Sequence, residues 1–116
     1  MIQRFGITPT YSEGVIHNGV VYLSGQVPWQ TAGNSIQEQT KEVLDLVQTG
    51  LLEAGSDKSR ILSMQIFLRN SEDYMEMNKV FVEWLPLGTA PARNTICGID
   101  FPKAKWGIEI VVVAAV

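Results

Sequence analysis

The chain has 116 residues, 46% hydrophobic and 18% charged, a length and balance that fit one globular domain over residues 1–116 and exclude a disordered polymer. Its formal net charge is -3 and its basic residues are scattered, so the electrostatic footprint that a phosphate backbone demands is missing and nucleic acid is not favoured as a partner. Cys97 and His17 stand alone, which excludes an intramolecular disulfide, a cysteine zinc site and a histidine metal cluster, and leaves nucleophilic triads within one subunit little to work with.

The opening "MIQRFGITPT" has no apolar run of signal-peptide length, and "IVVVAAV" is far short of a membrane span, so a cytoplasmic protein without membrane attachment is expected. "SEGVIHNGVVYLSGQVP" predicts two strands joined at Asn18-Gly19, a dipeptide that tolerates the positive φ of a type I′ turn. Ser35 and Glu38 then stand at capping-box spacing before a helix whose stripe is Ile36, Thr40, Val43, Leu44, Val47 and Leu51, with Gly55 as its stop. In "RILSMQIFLRN", Leu62, Met64, Ile66 and Leu68 alternate with Ser63, Gln65, Phe67 and Arg69, the period of a strand, and the first set faces the helix.

A second helix starts near Ser71 and ends before Pro86; its stripe is Tyr74, Met77, Asn78, Phe81 and Leu85, with Asn78 the polar intruder. "ARNTICGI" and "GIEIVVVAAV" supply the last strands. The resulting order, β-β-β-α-β-α-β-β, describes an α+β sandwich with a sheet covered on one face by two helices. The other face keeps Phe67 and part of the apolar C-terminal strand without a cover, which predicts an oligomer.

Glu109 is the one polar residue between Ile108 and Val116. It reads either as a carboxylate paired with a cation at a subunit interface, or as an acid/base group whose pKa is raised by its apolar surroundings. Arg93 in "APARNT" is the best candidate cation: a bidentate fork for a carboxylate, the structural partner of Glu109, or a surface arginine. If Arg93 and Glu109 line one cleft, a carboxylate clamp and a separate base suit a small organic acid. Ser24, Gly25 and Gln26 form a strand-end turn able to turn an N–H toward a ligand. Cys97 reads as an inert buried thiol and His17 as exposed.

Together these segments resemble the Rid family, the YjgF-like imine and enamine deaminases. "YSEGVIHNGVVYLSGQVP" is similar to the family's N-terminal hairpin and Ser-Gly-Gln-x-Pro stretch, and "LLEAGSDKSRILSMQIFLRNSEDYMEMN" to its middle section. "APARNTICGIDFPKAKWGIEIVVVAAV" carries Pro-Ala-Arg, then Pro-Lys, then Ile-Glu-Ile. The resemblance implies a chorismate-mutase-like fold, a mixed sheet assembled as a homotrimer with clefts between subunits, and no metal or organic cofactor. It implies that Arg93 holds a substrate carboxylate, that Glu109 activates water, and that Tyr11, Ser24, Gly25, Asn78 and Thr95 line the cleft. The implied reaction is hydrolysis of 2-iminopropanoate or 2-iminobutanoate to a 2-oxo acid and ammonia.

Three departures from the family pattern stand out, the two in loop length bearing on substrate choice. Thr95 stands where many members carry a cysteine, and Cys97 does not align with that position. "VPWQTAGNS" is shorter than in typical members and brings Trp29 toward the expected cleft entrance, whereas "KAKW" is one residue longer. Two other classes compete with the deaminase: a non-catalytic regulator that binds small carboxylates, and an endoribonuclease or translation inhibitor, a label given to some relatives.

Overall fold

The computed structural model describes residues 1–116 as a sheet backed by two helices, 21 Å through its thinnest dimension. The strands are β1 (Gln3–Ile7), β2 (Ser12–His17), β3 (Val20–Leu23), β4 (Ile61–Leu68), β5 (Ala92–Cys97) and β6 (Ile108–Ala115). Helix α1 spans Ile36–Glu53 and α2 spans Tyr74–Trp84 after a short 3-10 turn at Ser71–Asp73. Chain order is the one expected. In space the strands lie β1-β2-β3-β6-β4-β5, antiparallel throughout except for the parallel pair β4–β5. A parallel pair needs a crossover, and α2 provides it.

Local chemistry sets the ends of these elements. Asn18 and Gly19 adopt φ of 51° and 76°, closing the β2–β3 hairpin as a type I′ turn should. The Ser35 hydroxyl accepts the Glu38 N–H at 3.2 Å to cap α1. At the other end Gly55 takes φ +83°, its N–H reaches the Leu52 carbonyl and the Ser56 N–H reaches Leu51, the paired bonds of a Schellman stop.

The core lies between the helices and one sheet face. Val43, Leu44, Val47 and Leu51 of α1 and Met77 and Phe81 of α2 bury against Met64, Ile66 and Leu68 of β4 and Ile108, Ile110, Val112 and Ala114 of β6. Each of these side chains larger than alanine contributes about 1.5–3 kcal/mol by leaving water. Because a strand alternates, burying Ile108 and Ile110 forces Glu109 through to the opposite face. Phe67 on that face is capped by the small cluster of Val27, Phe101 and Trp106, but Tyr22, Ile96, Val111 and Val113 lie on it with no second layer, Tyr22 49% exposed and Ile96 39%.

Leu62 departs from the expected alternation. A bulge between Ile61 and Ser63 shifts the register with β6, so Ile61 fills the core and Leu62 is 50% exposed. Gln39, a core residue outside the expected stripe, is buried because its amide ties two loops together. It accepts the Gly107 N–H at 2.8 Å and donates to the Asn34 carbonyl at 2.9 Å. Glu42, one turn along α1, fastens the same first loop by accepting from the N–H of Gln30 (3.0 Å), the N–H of Thr31 (2.9 Å) and the Thr31 hydroxyl (2.6 Å). Neither helix is long and apolar enough to cross a membrane.

Candidate functional site

β5 is an edge strand, and its pairing with β4 puts Arg93 beside Met64 on the helix side of the sheet. There Nη1 donates to Asn78 Oδ1 at 2.7 Å and Nη2 to the Tyr74 hydroxyl at 3.0 Å, while the guanidinium carbon lies 4.8 Å from the Phe81 ring centroid. Tyr74 and Asn78 are one helical turn apart and Phe81 follows three residues later, so one face of α2 forms a cradle for the cation. The polar intruder in that stripe is there because it holds Arg93.

No carboxylate pairs with this half-buried guanidinium. The chain's ion pairs are Lys41–Asp45, Arg69–Asp100 and Lys79–Glu76. Of five N–H donors, two go to neutral acceptors and three are left for a ligand. Thr95, two residues along the same face of β5, has a buried hydroxyl oxygen without a hydrogen-bond partner. This half of the molecule is built of donors and suits a small anion.

Glu109 sits on the open face, paired across the ladder with Phe67, which packs against the satellite cluster of Val27, Phe101 and Trp106. Burial alone pushes its carboxyl above the ordinary glutamate range. The chain makes room for it at Gly25. Between the Tyr22–Val113 and Gln26–Ile110 pairs, three residues of the β3 side face two of β6, a bulge that bends the backbone over the carboxylate. A Cβ on Gly25 would stand 2.0 Å from Glu109 Oε2, so any larger residue would push the carboxylate out of this position. Ser24 is held in the same turn by its N–H to the Glu13 carbonyl and by the Gln26 side chain on its own carbonyl. Tyr11, 52% exposed, sits in the β1–β2 turn, where its N–H donates to the Thr8 hydroxyl.

The expected site residues therefore fall into two groups. Tyr11, Ser24, Gly25 and Glu109 belong to the β2-β3-β6 half, and Asn78, Arg93 and Thr95 to the α2-β5 half. Arg93 and Glu109 are two strands apart, offset along the ladder by about 10 Å, and on opposite faces. An ion pair between them within one chain is excluded by that geometry, and so is a cleft that both line within one chain.

Cys97 is exposed, contrary to the buried thiol expected from sequence, because it ends an edge strand that nothing flanks. His17 is exposed at the hairpin, as expected. Trp29, 63% exposed, rests edge-on against Trp106 with ring centroids 5.1 Å apart. Nowhere do three carboxylates, thiols or imidazoles gather as a metal would need. The cradle partners Tyr74 and Phe81 were visible in the sequence only as members of an apolar stripe; their spacing with Asn78 was the available signal, and what it lacked was the register of β5 against α2.

The family model described as endoribonuclease L-PSP matches residues 1–116. A RutC family protein of Haemophilus ducreyi is 39% identical over 116 residues, covering 100% of this chain and 97% of its own. The RutC family protein YoaB of Escherichia coli K12 is likewise 39% identical, over 99% of this chain and 98% of its own. Among solved structures, a YjgF family member from Neisseria meningitidis superposes with a TM-score of 0.94 at 40% identity, covering 99% of this chain and 94% of that one.

Proposed function

This chain belongs to the endoribonuclease L-PSP family, whose YjgF members share its fold, and on that premise we propose that it is a hydrolytic deaminase of small 2-imino acids. The observation that carries the proposal is the Arg93 guanidinium, oriented by two neutral acceptors, backed by an aromatic ring and left without an anion. A 2-imino acid supplies that anion. Its carboxylate takes the free N–H donors, and its protonated C=N carbon is already electrophilic. Water adds to that carbon while the ionised Glu109 removes a proton. That proton passes on to nitrogen, and Glu109, ionised again, takes the hydroxyl proton as C=O forms and the C–N bond breaks, so a 2-oxo acid and ammonia leave. A carboxylate with a raised pKa is a better base than an ordinary glutamate, and positioning supplies the rest.

Since one chain separates Arg93 from Glu109, the working site takes Arg93, Asn78 and Thr95 from one subunit and Glu109, Gly25, Ser24 and Tyr11 from its neighbour. The open apolar face is the surface such an assembly would cover, and a homotrimer with three clefts is the assembly proposed. No organic cofactor or metal enters the scheme. A cytoplasmic location fits an enzyme that meets imines as they leave a dehydratase.

The test is to follow imine loss when purified protein is added to a dehydratase acting on threonine or serine, with Arg93→Ala as the control. Acceleration that vanishes in the variant supports the deaminase. If neither protein changes the rate while 2-oxobutanoate binds the parent and not the variant, the chain is a carboxylate-binding regulator instead. Binding to RNA that weakens steeply with salt would point to the endoribonuclease label, against which the net charge of -3 weighs.

A further inference from the structure

We propose that Tyr74 is a positioning residue that aims the Arg93 clamp, an inference that rests on the carboxylate-binding reading of that site. An arginine side chain carries about 2 kcal/mol of rotamer entropy, and an unpinned guanidinium loses part of its ligand affinity in being ordered. Here both terminal nitrogens are tied, Nη1 to Asn78 Oδ1 and Nη2 to the Tyr74 hydroxyl. Two contacts at separate atoms of a rigid plane fix its rotation, and the Phe81 ring at 4.8 Å fixes its height. With Asn78 alone the plane would swing about one bond.

The chemistry of the pin matters as much as its place. A carboxylate at position 74 would also hold the guanidinium, but it would occupy donors and neutralise the charge that a ligand must find. A phenol accepts one hydrogen bond and leaves the charge free. Its own hydroxyl hydrogen is then available as a further donor beside the clamp. Tyr74 is 37% exposed and its ring centroid stands 5.8 Å from the guanidinium carbon, an outer cation–π contact that phenylalanine would keep, so the hydroxyl is the part of this position that can be removed by itself.

Tyr74→Phe keeps the ring and removes only the hydroxyl, and it is compared with the parent and Arg93→Ala in three measurements. These are KM and kcat on dehydratase-generated imine, the Kd for 2-oxobutanoate, and the side-chain 15N resonances of Arg93. Tyr74→Phe should raise KM and Kd about fivefold to tenfold, keep kcat within about twofold, and broaden the Arg93 resonances. The melting temperature should stay that of the parent. Unchanged KM, Kd and resonances, or a loss confined to kcat, would overturn the role. Arg93→Ala separates the two levels. If it binds 2-oxobutanoate like the parent, the site reading itself has failed; if it loses binding while Tyr74→Phe does not, only the inference about Tyr74 has. Tyr74→Glu adds an independent check, since a pin that neutralises the clamp should weaken binding more than losing the hydroxyl does.

Discussion

Two half-buried glutamates in this molecule meet opposite surroundings. Glu42 is pushed up by burial, but the bonds from the Thr31 hydroxyl and from the N–H groups of Gln30 and Thr31 outweigh that and hold its carboxyl below the ordinary range. Glu109 lies deeper and is pushed up with nothing to oppose it. The first is a fastening that is satisfied only when charged; the second is a charge kept under tension beside a bent backbone. Sequence composition treats them alike. What separates them is whether donors converge on the oxygens.

The contrast can be tested in order of expected effect. Glu109→Gln should lower deamination about 10²–10⁴-fold in the imine-loss assay while circular dichroism shows a parent-like fold. Glu42→Gln should leave turnover within about threefold, and an equal loss in both variants would end the distinction.

The pH–rate profile is the next measurement. If Glu109 works as the base, kcat/KM should fall on the acid side with a midpoint above the ordinary glutamate value of 4.5, and the residual rate of Glu109→Gln should lack that limb.

Stability gives the smaller effects, with opposite signs. Glu42 has a depressed folded pKa, so its stabilisation is present above the unfolded value and fades as pH falls through the folded one. Glu42→Gln should therefore melt lower at pH 7, by about 4 °C for each kcal/mol lost, and should converge on the parent in acid. Glu109 has a raised folded pKa, so the fold is most favoured below the unfolded value and loses that advantage as pH rises through the folded one. Glu109→Gln should melt slightly higher than the parent at pH 8 and match it at pH 4. Calorimetry on both variants across that range decides the signs.

Much of this was legible in the chain because the signals were local. The stripe of α1, its Ser35 cap and its Gly55 stop act within one or two turns, and the alternation of β6 puts Glu109 opposite the core as soon as Ile108 and Ile110 are assigned inward. The bulge that turns Leu62 out depends on register against β6, 50 residues later in the chain, and no local pattern encodes it. Cys97 reads as a buried thiol because no histidine or other activating group stands near it in sequence; only the sheet order makes its strand an edge. The roles of Gln39 and Tyr74 depend likewise on loops and strands brought to them from elsewhere. Arg93 and Glu109 stand out in the sequence as its two unusual charges, but their separation across the sheet follows from the topology.

That topology has a consequence for how the protein is made. β6 is the last strand in chain order and lies between β3 and β4 in the sheet. A nascent chain that has emerged as far as Cys97 can form the β1–β3 meander and the β4-α2-β5 unit, but these present two unpaired strand edges to each other. Such edges invite pairing with other chains. Synthesis of the final strand closes the gap and delivers Glu109 in the same event, so the sheet becomes whole only when its unusual carboxylate arrives.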